Sequence, residues 1–226
     1  MDAPDPLVSA AAGMRWQNSR LAVIAENLAN AGTAGFHRRA EPAAAFANDL
    51  NASLTPEPAE GALRRTDIPT DLALVGPGYF CIATPEGVRY SRDGRLTRDP
   101  HGYLTDLRGN RLLGSLGAAR LPAHGRIAPD GSIRSGDAVI DRLRIVELPR
   151  VQEAEPGYLS APSGSVPRRA HARVEQGYLE DSSVDPIAEM TALVETERLF
   201  EANQKSVQRV DETLKRAAAE VGRARA

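Results

Sequence analysis

The 226-residue chain has a single cysteine, Cys81. No internal disulfide can form, and zinc sites built from several thiolates are excluded. Aromatic side chains make up only 4% of the sequence, so any core must rest on Leu, Val, Ile and Ala. No apolar run approaches the roughly eighteen residues of a membrane span, and MDAPDPLVSAAAG at the start lacks the basic-then-apolar order of a cleavable export signal. An excess of either charge is also missing. With 28 basic and 30 acidic side chains the formal charge is −2, which gives no general electrostatic reason to favour nucleic acid. The expectation is a soluble chain with no membrane insertion and no nucleic-acid partner.

Catalytic patterns are equally scarce. His37, His101, His124 and His171 show no metal-ligand spacing and fall in predicted loops, while G-x-S-x-G elbows and Walker loops do not occur. Asp93-Gly94 and Asp99-Pro100-His101-Gly102 lack EF-hand spacing and read as turns. Cys81 lies inside an apolar run and reads as a small buried thiol. Arg168, Arg169 and Arg173 read as part of a solvated loop. No catalytic residue, metal or cofactor is expected.

What the sequence does have is periodicity at both ends. Leu7, Ala10, Met14, Leu21, Ile24 and Leu28 follow alternating steps of three and four, with Gln17 in the remaining slot; this is the rhythm of a helix buried along a narrow seam. Asp5 is placed to cap it and Pro6 to begin it. Asn30 and Gly32 are suited to end it in a left-handed conformation, and Gly35 to permit a second turn before Phe36. Asn27 and Asn30 lie three apart on one face, placed to bond backbone groups of a neighbour. Near the other end Asp185-Pro186 repeats the start signal. Leu193, Phe200, Leu214, Val207 and Val221 recur every seven residues, with Met190 beside them. Such a stripe requires another helix, either within the chain or in another copy; because the C-terminal seam is the longer, part of it would stay wet in a monomer.

With 19 Gly and 16 Pro, the middle of the chain is written differently. Short apolar runs at Asp71–Val75, Tyr79–Ala83 and Val88–Ser91 are separated by Gly76-Pro77-Gly78 and Pro85-Glu86-Gly87, which spells strand, turn and strand. The expected organisation is a helix with its stop signal over 1–36, a linker over 37–70, a β domain over 71–148, a second linker over 149–178, and a C-terminal helix over 179–226. The fold class follows as a mainly β central domain with long N- and C-terminal helices forming a coiled-coil-like rod segment.

Three stretches resemble the bacterial flagellar rod and hook family. Asn27-Leu28-Ala29-Asn30-Ala31-Gly32-Thr33-Ala34-Gly35-Phe36 is similar to its N-terminal signature, in which Asn27, Leu28, Asn30, Gly32, Thr33, Gly35 and Phe36 match. Asp71 to Phe80, continuing through Tyr90-Ser91-Arg92-Asp93-Gly94 to Gly109–Gly114, resembles the central region of the rod proteins. Gln176–Glu180, Val184, Glu189, Met190, Arg198, Phe200–Asn203 and Lys205 resemble the C-terminal signature. Asp181, Ser183, Ser91 and Glu197 depart from the pattern. The resemblance is nearer the proximal-rod branch than the distal-rod or hook branch. It implies a structural subunit of the basal-body rod that polymerises through terminal helices, with other axial proteins, copies of itself and the flagellar type III export apparatus as partners. It also implies a place in the periplasmic rod, reached without a cleaved signal. The competing class is a secreted β-domain enzyme or binding module with helical dimerisation arms.

Overall fold

The computed structural model describes residues 6–40, 60–155, 157–162 and 164–224; the Asp5 cap lies outside them. The chain divides into two units. One holds the two helices, and the other runs from Asn30 to Ala40 and from Ser53 to Val184.

In the helical unit, α1 spans Pro6–Ala29 and α2 spans Pro186–Ala224. Proline begins each, where its missing N–H costs no hydrogen bond. The Asp185 carboxylate caps α2 by accepting the Ile187 and Ala188 N–H groups at 2.9 and 3.3 Å. The faces that meet are partly polar. Gln17, Val23, Ile24 and Asn27 are buried on α1, and Glu189 and Thr196 on α2. Asn27 Nδ2 donates to Glu189 Oε1 at 3.3 Å, and the Thr196 hydroxyl is satisfied by the Ala192 carbonyl at 2.7 Å.

This corrects the expected fold class. The described residues form only two helices, of 24 and 39 residues, against many antiparallel strands, and those helices do not make a coiled coil. On α2 the fully buried side chains are Glu189 and Thr196, four residues before and three after Leu193, which sets them about 40–60° around the helix from the anticipated Leu193 series. Met190 is 53% exposed; Leu193, Phe200 and Val207 are half-buried. On α1, Met14, Leu21 and Leu28 are half-buried while Ile24 and Gln17 are covered. The side chains of Leu7, Leu214 and Val221 lie outside the described residues. The physical reason is that the buried contact is mixed: Gln17, Asn27, Glu189 and Thr196 are covered together with Val23 and Ile24, so the helices meet over a partly polar face and not over the continuous aliphatic seam that a coiled coil needs.

The second unit is built from short antiparallel strands. Its largest sheet is centred on β3 (Tyr79–Thr84), which pairs with β4 (Gly87–Ser91), β7 (Arg111–Gly114) and β12 (Ile145–Glu147). Alternation along β3 feeds two cores. Phe80 and Ile82 join Leu72, Leu74, Leu104, Leu112, Ile133 and Val174, whereas Cys81 joins Tyr90, Val146, Leu148 and Val151. Further strands occupy stretches read as linker: β1 (Leu63–Arg65), β13 (Gln152–Glu155), β14 (Tyr158–Ser160), β15 (Arg168–Arg169) and β16 (Arg173–Gln176). Strands of two to four residues leave too short an alternation to register as a period. β17 (Tyr178–Glu180) pairs with β1, and β16 with β2 (Leu72–Val75), so this unit also takes in residues 179 and 180.

Candidate functional site

The two terminal signatures meet inside the β unit. The Gly35 N–H donates to the Glu180 carbonyl at 2.8 Å, and the Phe36 carbonyl accepts the Ser183 N–H at 3.0 Å. Ser183 Oγ in turn accepts the Arg38 N–H at 2.8 Å. A segment read as a helix stop is therefore stitched beside the strand that ends the β unit.

Side chains lock this seam to the rest of the unit. Glu180 and Arg92, with side chains 1% and 4% exposed, pair at 2.8 Å through Oε2 and Nε. The remaining guanidinium nitrogens of Arg92 donate to the carbonyls of Gly76, Gly78 and Leu74 at 2.8, 2.9 and 3.2 Å. The other Glu180 oxygen, Oε1, accepts His37 Nε2–H at 2.9 Å and the Gly61 N–H at 3.1 Å. One buried ion pair thus ties five separate stretches of chain. Burial works to raise the Glu180 carboxyl, but the His37 hydrogen bond, the Arg92 charge and hydrogen bond, and the Gly61 N–H outweigh it and hold the group below its ordinary value.

Close backbone approach completes the clasp. Gly35 has φ +65°, and a Cβ there would sit 2.4 Å from the Arg92 carbonyl carbon and oxygen. A Cβ on Gly61 would fall 1.7 Å from the Asp181 carbonyl oxygen. Glycine is needed at Gly35 for contact as much as for turning, and at Gly61 for contact. Gly32 differs: it has open space around it and does not take a left-handed φ, and neither does Asn30. The expected left-handed helix end is thus corrected. Instead, the Asn30 carbonyl accepts the Thr33 N–H at 3.0 Å and Asn30 Oδ1 accepts the Thr33 hydroxyl at 3.2 Å. Asn27 bonds a side chain, Glu189, in the helical unit. Leu28 is half-buried.

Sequence reasoning missed the three residues at the centre. Arg92 and Glu180 read only as letters of signature stretches, and His37 as a surface histidine. The one available signal was that Arg92 and Glu180 each lie within a signature stretch. Cys81 is buried as expected, and burial pushes its thiol up to about 11. Among the described residues no group of His, Cys, Asp and Glu could hold a metal, and no helix is long and apolar enough to cross a membrane. The arrangement holds segments together; it has no nucleophile paired with a base.

Comparison with known proteins places this geometry. The family described as "Flagellar basal body rod FlgEFG protein C-terminal" matches residues 175–220, which include Glu180 and most of α2. The chain is similar to the flagellar basal-body rod protein FlgF of Mesorhizobium japonicum, with 31% identity over 80% of this chain and 83% of that protein. It has the same identity to FlgF of Escherichia coli over 87% of this chain and 90% of the relative. Similarity to FlgG of Agrobacterium fabrum is 26%, over 91% and 95%.

Proposed function

The chain belongs to the bacterial flagellar basal-body rod proteins and is FlgF-like, a structural subunit of the rod that assembles with other rod components, and from this we infer that it joins its neighbours through the exposed face of α2. One observation carries the reading. Ile187, Met190 and Val194 are 77%, 53% and 46% exposed and lie within about 60° of one another around the helix, and α2 is 15 residues longer than α1, roughly 22 Å at 1.5 Å per residue. An exposed apolar strip over about two turns of helix marks a partner site. Leu193, Phe200 and Val207 flank it, and with Met14, Leu21 and Leu28 of α1 they belong to the proposed assembly surface. The clasp serves that role by fixing where the two signature segments sit in the β unit. Delivery by the flagellar type III export apparatus to the periplasmic rod is part of the same proposal, supported by family kinship.

The test is substitution on the exposed face. Met190→Asp with Val194→Asp changes side chains already in water, so the isolated protein keeps its fold. Each position forfeits on the order of 1 kcal/mol of apolar burial and adds a charge to be desolvated. Cells carrying the double variant as their sole copy are expected to lose rods and swimming. Wild-type motility would show that α2 does not carry the contact.

A further inference from the structure

One short segment near its end fastens the β unit. β16 and β17, joined through Gly177, run from Arg173 to Glu180. Each is the sole strand partner of a much earlier strand among the described residues, β16 of β2 and β17 of β1. Side chains draw the segment tight. Gln176 Oε1 accepts the Ile127 N–H at 3.1 Å, while its Nε2 donates to the Pro69 carbonyl at 2.7 Å. Val174, 1% exposed, joins Leu72 and Leu74 in the larger core, and Glu180 holds Arg92, His37 and Gly61. The segment is a strap.

Two features of the unit depend on the strap. Leu72, Ala73 and Leu74 are successive and at most 1% exposed, so both faces of β2 are covered, and a strand enclosed in that way needs its backbone groups paired. β16 pairs them. Asp67 is the second feature. It has φ +58°, the one non-glycine residue in the left-handed region among the described residues, and such a conformation persists where surrounding contacts impose it. The Gly177 carbonyl imposes it by accepting the Thr66 and Asp67 N–H groups at 2.8 and 3.1 Å, and the Gly177 N–H donates to the Asp71 carbonyl at 2.8 Å.

The partners that the strap joins are far apart in sequence, Pro69 and Gln176 by 107 residues and Gly61 and Glu180 by 119. β3 and β4, by contrast, meet through a tight turn that sets Thr84 opposite Gly87. Closing the longer loop costs more chain entropy, and its contacts reward that cost only once both ends are in place. A chain made from its N-terminus also exposes β1 and β2 long before the strap. We propose that the Arg173–Glu180 strap is the last piece of the β unit to dock, and that its docking fixes Gly35–His37, which follow α1, and Asp181–Val184, which precede α2, in one step. Glu180 supplies the bonds to Gly35 and His37, and Ser183 those to Phe36 and Arg38. An incomplete chain therefore holds neither signature segment in place. This closure lies within one chain and is independent of the α2 face.

The experiment follows the full chain as it refolds after a denaturation too brief for prolines to isomerise, with pulses of hydrogen exchange read segment by segment. Amides of β3 and β4 are expected to gain protection first, and those of β1, β2, β16 and β17 together in a later phase. Protection of β2 ahead of β16, or of the strap in the same phase as β3 and β4, would overturn the proposal. Gln176→Ala adds a native-state measurement, because it removes the bonds to Ile127 and Pro69 without touching β3. Exchange from β1, β2 and β17 is expected to quicken tenfold or more in this variant, while β3 and β4 exchange as in wild type. Equal acceleration in β3 and β4, or none in any strand, also overturns it. Should the variant fail to fold, the refolding of the unaltered chain decides. Both measurements use isolated protein, so their failure is separable from failure of the α2 surface.

Discussion

Replacing Arg92 with alanine perturbs the clasp at its most connected point. The guanidinium is the donor to one carboxylate and three carbonyls. Its removal leaves Glu180 buried with only His37 and Gly61 as partners. Truncating one member of a buried ion pair costs about 3–5 kcal/mol, because the survivor's charge stays desolvated. The carbonyls of Leu74 and Gly78 also lose a donor, at about 1–3 kcal/mol each where water does not enter. Gly76 is half-buried, so water replaces the donor there at little cost. Since the alanine site admits some water, about 5 kcal/mol is the expected total, which lowers Tm by on the order of 10–20 °C for a unit of this size. Thermal unfolding of the full chain followed by near-ultraviolet circular dichroism in the tyrosine band reads the β unit, which holds all 5 tyrosines. Trp16 lies in α1, so its fluorescence follows the helical unit separately and serves as the internal control. Arg92→Lys is expected to recover less than half of the loss, since an ammonium cannot span four acceptors arranged around a planar fork. A loss below about 1 kcal/mol for Arg92→Ala, on the scale of an exposed pair, would refute the reasoning and show that the clasp holds nothing.

Glu180→Gln tests the same network through pH. A carboxyl held below its ordinary value contributes stability that is fully present above the unfolded value, near pH 4.3, and is lost as pH falls through the lower folded value. The variant's stability profile should therefore be flatter than wild type on the acid side in denaturation measured from pH 7 to pH 3, and an unchanged slope counts against the assignment. Asp93 works in the opposite sense, since burial raises its carboxyl; its contribution grows as pH falls and cannot mimic the Glu180 effect. The two signature glycines should also separate. Gly35→Ala forces a left-handed alanine and a backbone overlap, costing more than about 2 kcal/mol, and should abolish exchange protection of the residue-35 amide. Gly32→Ala, with nothing within 4 Å, should be nearly neutral, and equal costs would undo this distinction.

Some of this was legible in the chain because it depends on neighbours in sequence. Pro6, Asp185 and Pro186 announce helix starts through local hydrogen-bond arithmetic. The turns around Gly76, Gly78 and Gly87 follow from φ values that glycine tolerates, and Cys81 had to be buried because its run offers no other face. The strands after Leu148 escaped notice since two to four residues cannot display alternation.

The amino-acid order alone determined where helices begin, which central stretches form strands, and which family the signatures belong to, because each is a matter of residues a few positions apart. Only the tertiary structure decided which helix face is buried and why Gly35 must be glycine. It alone brought Arg92, Glu180 and His37 together from positions 88 and 143 residues apart. Heptad counting finds an apolar stripe but does not reveal that a buried asparagine and glutamate pair beside it. A charge can be recognised as structural only when the opposite charge, the carbonyls and the absence of water around it are all in view.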